Sequence, residues 1–216
     1  MWYELGITIL GQKIAYTELV GQVLALAVVF LAQRRSLLTW PVQLVSVTLL
    51  FTVYLSAHLG GLATRQIVVG LIAVYGWHAW VRRRDPVFGV VVRAGTWRER
   101  LTVVGVFAVG TAAFALVLQA LEASWAPWPD AAIFVGTVLA FSLQGLGLVE
   151  FWLVWLAVDF VGVPLQIKSG LYFSALVYVI FAGLVIHGYV DWTRTARRLA
   201  MIQSARAPGA RASGRG

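Results

Sequence analysis

The sequence predicts an all-α integral membrane protein of seven transmembrane helices, built as two parallel three-helix repeats around one linking helix. Three observations predict it. The 216-residue chain is 60% hydrophobic and only 12% charged, with a mean hydropathy of +0.83, whereas a soluble domain carries about 25% charged residues. Its apolar residues fall into seven continuous runs of spanning length. Its tryptophans recur at one spacing in the two halves of the chain.

A spanning helix needs roughly 17–25 mostly apolar residues. The runs lie at about 17–33, 37–57, 62–80, 100–121, 131–147, 150–168 and 171–191. They are continuous rather than alternating, which argues against a β-barrel. The start, MWYELGITILGQK, has no positive n-region and no small-residue cleavage site, so it does not read as a signal peptide. Seven spans put the termini on opposite sides. With the N-terminus outside, 14 of the 17 Lys/Arg fall in inside gaps, and only Lys13, Arg65 and Lys168 fall outside. Excess Lys/Arg marks the cytoplasmic side. The expected organisation is an extracellular segment (1–16), a first three-helix repeat (17–80), a basic cytoplasmic loop (81–99), a linking helix (100–121), a second repeat (131–192) and a basic, disordered cytoplasmic tail (193–216).

The repeat rests on alignment. Trp40 and Trp80 are 40 residues apart, and so are Trp152 and Trp192. Laying 40–80 on 152–192 without gaps also matches Val42, Leu44, Leu59, Ala63 and Gly76 with Val154, Leu156, Leu171, Ala175 and Gly188. Two adjacent copies of an odd unit would be inverted; a fourth helix between them restores the orientation. The result is 3+1+3, similar to the parallel repeats of SWEET transporters, in which substrate binds between repeats near the midplane.

The sixth run, FWLVWLAVDF, carries a carboxylate. Trp152, Trp155 and Asp159 stand at i, i+3 and i+7, on one helical face, with Gln166 seven residues further on. Asp159 lies about 13 Å along the axis from Glu150 at 1.5 Å per residue. A charge at that depth costs about 2.5–3.5 kcal/mol on insertion scales, so it must face the bundle interior or a water-filled cavity. Two readings stand side by side. Asp159 either bonds helices together, or binds a ligand with the aromatic and amide groups on its stripe. In the first repeat Trp40, Gln43 and Tyr54 match Trp152, Trp155 and Gln166, Ser46 and Thr48 flank Val47, the match of Asp159, and Gln66 matches Tyr178. Gly162 and Pro164 suggest a kink just past Asp159, and such breaks are tolerated beside a cavity. The expected substrate-binding set is Gln43, Ser46, Gln66, Trp152, Trp155, Asp159, Gln166 and Tyr178. Aromatic faces suit a flat ring, Gln and Asp suit amide edges and hydroxyls, and a cationic ring would gain from the carboxylate and cation–π contact. Trp2, Trp80, Trp97, Trp125, Trp128 and Trp192, at segment ends, read as interface anchors.

Other chemistry has no footing. There is no cysteine, and His58, His78 and His187 lack ligand spacing, so no metal or cofactor is expected. No G-x-x-x-x-G-K-[ST], G-x-S-x-G or H-E-x-x-H occurs. Glu150 and Asp191, near the inside face, have no visible partners, so an enzyme is not expected. The net charge of +8 sits in the gaps between spans and argues orientation rather than nucleic acid.

WPVQLVSVTLLF, ATRQIVVGLIAVYGWHAW, EFWLVWLAVDFVGVPL and GLYFSALVYVIFAGLVIHGYVDW together resemble the PnuC family of vitamin transporters, over about residues 17–192. The motifs that carry the resemblance are Tyr75-Gly76-Trp77 with Trp80, and W-x-x-W-x-x-x-[DN] at Trp152, Trp155 and Asp159. It implies facilitated diffusion of a vitamin, alternating access, homotrimers and capture of the vitamin by a cytosolic kinase. TWRER, WPDAAIFVGT and GLVEFWLVWLAVDFVGVPL resemble the actinobacterial riboflavin (RibM-like) branch. In the nicotinamide riboside branch Asn often precedes the tryptophan pair and often fills the acid position; here Phe151 and Asp159 stand there. Riboflavin is therefore the expected substrate, and nicotinamide riboside the alternative. A membrane scaffold without substrate, or a proton-coupled carrier using Asp159, are the remaining readings.

Overall fold

The computed structural model describes residues 6–9, 12–56, 60–85, 89–168 and 172–212. Trp2, His58 and the residues after 212 lie outside them. Among the described residues there are seven helices: α1 (Tyr16–Gln33), α2 (Thr39–Ser56), α3 (Gly60–Arg82), α4 (Trp97–Ala120), α5 (Pro127–Gly145), α6 (Phe151–Lys168) and α7 (Tyr172–Ala212). Each overlays one predicted run. By length and composition α4, α6 and the Ala175–Ile202 part of α7 suffice to cross a membrane, and Leu19–Gln33 and Thr39–Thr52 are shorter apolar stretches. Two small hairpins accompany them. In the first, β1 (Gly6–Ile9) pairs antiparallel with β2 (Gln12–Ala15), Gly6 opposite Ala15. In the second, β3 (Arg84–Asp85) pairs with β4 (Gly89–Val90).

The helix ends follow local chemistry. Between α1 and α2, Arg35 turns the chain at φ 54°, and the Ser36 hydroxyl accepts from Leu38 N–H at 3.2 Å. Thr96 and Glu99 make a reciprocal capping box at the start of α4, which satisfies two N–H groups that the first turn leaves open. Pro127 opens α5, where its missing N–H costs nothing. Ser124 donates to Asp130 and accepts from Ala126 N–H at that same helix start. Helix α6 runs unbroken across Pro164. The expected irregular tail is not met over 193–212, where α7 continues. That stretch is rich in Ala and Arg, which are strong helix formers, and Ala196 and Leu199 are buried against the core.

Neighbouring helices close a ring in the order α1, α2, α3, α5, α6, α7 and back to α1, while α4 lies outside against α5. Phe114 of α4 stacks on Phe134 of α5 at 4.6 Å, and Ala115 is the buried residue of α4. Lipid gives apolar helices little reason to associate, so close packing over small residues has to hold them. The ring uses glycine for this. A Cβ on Gly76 would meet the Trp40 ring at 2.2 Å, and one on Gly188 would meet the Trp152 ring at 2.6 Å.

The core gathers at the arginine-rich end of the ring. Trp40, Trp80, Trp152 and Trp192 are all fully buried there. Trp40 stands edge-on to Trp80 at 5.2 Å, Trp80 lies 6.2 Å from Trp192, and Trp192 stands edge-on to Trp152 at 5.9 Å. The Trp80 indole donates to the Gln144 carbonyl at 2.8 Å, and the Trp192 indole donates to the Ala32 and Gln33 carbonyls at 3.1 and 3.2 Å. Trp80 and Trp192 are therefore not interface anchors. A buried indole N–H needs an acceptor, and carbonyls at a helix C-terminus can supply one, here even while Gln144 and Ala32 also accept from Gly147 and Arg35 N–H. Trp97, Trp125 and Trp128 are exposed, as interface anchors are.

Candidate functional site

The polar column expected on α6 is present. Trp155, Asp159, Gly162 and Gln166 follow at helical spacing and share one face. They span about 16 Å of axis at 1.5 Å per residue. Asp159 is buried at 4% exposure, and its Oδ2 has no hydrogen-bond partner. Gln166 Oε1 is likewise buried and unpartnered. Between them the Tyr178 ring of α7 lies on Gly162, where a Cβ would come within 2.3 Å of it. Below them the Trp155 ring stands edge-on to Phe141 of α5 at 5.2 Å. The structure thus brings Trp155, Asp159, Gln166 and Tyr178 into one column lined from α5, α6 and α7.

The other four expected residues are buried on α2, on α3 and at the start of α6. Trp152 belongs to the tryptophan cluster, with its Nε1 buried and unpartnered. Gln43 and Ser46 on α2 and Gln66 on α3 are buried polar side chains. No hydrogen bond joins them to Asp159 or Gln166 among the described residues. Asp159 Oδ2 has no protein donor among the described residues to replace its water. Burying a polar group without a hydrogen bond costs about 1–3 kcal/mol in proteins, and native structures keep few such groups without a reason. That arrangement suits a ligand that brings its own donors: hydroxyls or ring N–H groups for Asp159, an N–H for Gln166, and a flat face for Trp155.

A cavity of about 880 Å³ lies at a different place. It is bounded by residues 91–94, the start of α4, the start of α6 and the later part of α7. On α6 it touches Leu153, Val154 and Ala157, not Trp155 or Asp159. The cavity is therefore not the column, and the buried, unpartnered Asp159 Oδ2 and Gln166 Oε1 belong to the column.

Sequence reasoning missed two features at the arginine-rich end. Gln144 is buried at 2%, with Nε2 unpartnered while its carbonyl takes the Trp80 indole. Its signal was the repeat itself, because the shift that carries Trp80 to Trp192 carries Ala32 to Gln144. Glu150 does have partners: its carboxylate accepts from Gly95 N–H at 2.8 Å and from the Arg100 guanidinium at 2.9 Å. The loop before α4 is folded against the α5–α6 turn. Arg93 N–H donates to the Gly147 carbonyl, and Val149 N–H donates to the Arg93 carbonyl, both at 3.0 Å. Gly147 holds φ 71°, and a Cβ there would meet the Val91 carbonyl oxygen at 2.7 Å. Arg93 also grips Glu99 with two bonds of 2.8 and 2.6 Å, and that carboxylate raises the Arg93 pKa above its ordinary value.

Comparison with known proteins fits this architecture. The family model described as nicotinamide mononucleotide transporter matches residues 15–194. The chain is 47% identical over 190 residues to the riboflavin/roseoflavin transporter RibM of Streptomyces davaonensis, covering 87% of this chain and 89% of that one. It is 24% identical over 212 residues to the nicotinamide riboside transporter PnuC of Escherichia coli, with the same coverage. The solved structure of the vitamin B3 transporter PnuC superposes with a TM-score of 0.69 at 23% identity, over 85% of this chain and 83% of that one, and so shares its fold. These relatives are transporters rather than enzymes, and the apolar helices make this a multi-pass membrane protein. The chain belongs to the nicotinamide mononucleotide transporter family.

Proposed function

We propose that the chain takes up riboflavin across the cell membrane by facilitated diffusion with alternating access. The observation that carries this reading is the 47% identity, over most of both chains, to a protein named as a riboflavin/roseoflavin transporter. The α6 column supplies the chemistry. Trp155 stacks on the ring system, Asp159 and Gln166 take its ring N–H groups or chain hydroxyls, and Tyr178 closes the far side. Gln43, Ser46 and Gln66 supply polar edges from the first repeat. Trp152 contributes from the cluster at the column's base.

The 3+1+3 arrangement belongs to this proposal. One sequence shift carries Trp40 to Trp152, Gly76 to Gly188, Trp80 to Trp192 and Ala32 to Gln144. Under it each repeat's glycine seats its own tryptophan, and each repeat's last tryptophan bonds the other repeat's first helix. Such reciprocity is what a two-fold axis along the membrane normal would produce. The arginine-rich end is read as cytoplasmic, and homotrimers and a cytosolic kinase follow from the family resemblance. Nicotinamide riboside is the second reading, favoured by a carboxylate that would pair with its cationic ring.

Tryptophan-fluorescence quenching of purified protein tests both. Riboflavin and nicotinamide riboside are titrated side by side, with Asp159→Ala and Trp155→Ala variants. Riboflavin binding that both variants lose is the expected result. Binding of nicotinamide riboside alone moves the substrate and keeps the site. Binding of neither by folded protein sinks both and revives the scaffold.

A further inference from the structure

The 880 Å³ cavity is graded along its length. On α4 it is lined by Arg100, Val103, Val104 and Phe107, which stand at i, i+3, i+4 and i+7 on one face. On α6 the lining has the same spacing, from Glu150 through Leu153 and Val154 to Ala157. Both helices start at the arginine-rich end, so both faces pass from charged to apolar as they enter the span. Helix α7 runs the other way and agrees: Tyr189 is deep, and Thr193 and Arg197 are at the rim. The volume lies within the roughly 300–1,000 Å³ of sites that hold small molecules.

The rim is not electrically satisfied. Arg93 is paired with Glu99 and Arg100 with Glu150. Arg197 has no carboxylate partner among the described residues. One turn before it, on the same α7 face, Thr193 Oγ1 is buried and has no hydrogen-bond partner. A guanidinium and an idle hydroxyl therefore sit together at the mouth of an apolar groove. A small soluble anion would use the rim and leave the deep part empty. A polar metabolite would meet few partners below it.

We propose that this groove binds one anionic phospholipid, with the phosphate held by Arg197 and Thr193 and the start of an acyl chain laid between α4 and α6 against Val104, Phe107 and Leu153. Charge complementarity at the rim and the apolar depth fit that molecule at both ends. Basic pockets between spanning helices are where acidic headgroups bind. The site is separate from the α6 column, and it stands whether or not riboflavin is the substrate.

The test is native mass spectrometry of delipidated, full-length protein offered dioleoyl phosphatidylglycerol or dioleoyl phosphatidylcholine. The variants are Arg197→Gln, Thr193→Val and, as a distant loss of charge, Arg206→Gln. The expected result is one retained phosphatidylglycerol per chain, at least about fivefold over phosphatidylcholine, from the roughly one basic contact's worth of headgroup attraction. Arg197→Gln should lose the preference, Thr193→Val should lower retention of phosphatidylglycerol, and Arg206→Gln should keep both. Equal retention of the two lipids would overturn the proposal. So would equal loss in Arg206→Gln, which means diffuse attraction to a basic tail. Displacement of the lipid by inorganic phosphate would mean a free-phosphate site, and displacement by riboflavin would make the groove a substrate path; either overturns it. Should Arg197→Gln fail to fold, the lipid preference of the native chain and unchanged or lowered retention in Thr193→Val still decide.

Discussion

Replacing Asp159 by valine should make the protein more stable and unable to bind its substrate. The choice of valine comes from the structure, because the same shift that pairs the two repeats places Val47 opposite Asp159, and Val47 is buried at 5% in α2. Asp159 Oδ2 has no donor, so removing it orphans no other group. Leaving a buried polar atom unpaired costs about 1–3 kcal/mol. Relief of about 2 kcal/mol would raise the melting temperature by roughly 4–8 °C in a chain of this size. The assay is thermal denaturation in detergent followed by size-exclusion fluorescence, with riboflavin titration of the surviving fraction. A site kept at the expense of stability gives opposite signs for the two readouts. If Asp159→Val instead lowers the melting temperature and the yield together, the carboxylate is bonding helices, and the binding argument for the column fails.

The other expectations concern the tryptophan cluster. Gly76→Ala and Gly188→Ala each place a methyl group within 2.2 and 2.6 Å of an indole, an overpacking that should destabilise by about 1–3 kcal/mol or more, read as a lower melting temperature in both variants. Trp80→Phe keeps the ring contacts and removes the bond to Gln144. It should cost about 0.5–1.5 kcal/mol for the lost bond, because Gly147 N–H still donates to that carbonyl, and Trp192→Phe, which removes the bonds to the Ala32 and Gln33 carbonyls, should cost a similar amount in the same melting assay. Nearly unchanged melting in Trp80→Phe would show that packing alone holds that end.

What could be read from the sequence was periodic or local. Seven runs of apolar residues forecast seven helices because spanning length is a physical minimum. Equal tryptophan spacing matched Trp40 and Gly76 with Trp152 and Gly188, and the structure shows each glycine under its own half's tryptophan. The column was legible too, since Trp155, Asp159 and Gln166 lie on one helix and helical spacing alone puts them on one face. Long-range partners were not. Glu150 looked unpaired because Arg100 and Gly95 are 50 and 55 residues away. Trp80 and Trp192 looked like interface anchors because a helix-end tryptophan reads the same whether it meets headgroups or a neighbour's open carbonyls. Gln43, Ser46 and Gln66, grouped with Asp159 by repeat symmetry, are buried polar side chains; symmetry relates positions and does not by itself give the contacts between them. The end of α7 was misjudged because basic, small-residue composition resembles a solvated tail, while Ala196 and Leu199 pack on the core.

The two ends of the ring differ in how firmly they are shut, and this bears on how the column could be reached. At the arginine-rich end the Trp80 and Trp192 indole bonds join α3 to α5 and α7 to α1, and the Trp80 and Trp192 rings lie 6.2 Å apart. At the other end of α6, Gln166 Oε1 is buried without a partner and Tyr178 rests on Gly162. Under alternating access, opening toward the arginine-rich face has to break both indole bonds, at about 0.5–1.5 kcal/mol each. It also has to part the Trp80–Trp192 contact that bridges the repeats, worth about 0.5–1.5 kcal/mol. The sum, about 1.5–4.5 kcal/mol, is a modest gap that keeps the open form a minor population. A substrate shifts that balance only by binding the two forms differently. Asp159, whose Oδ2 has no donor among the described residues, is the group whose pairing a substrate can change most, so the cluster and the carboxylate would act as the lock and the key of one equilibrium.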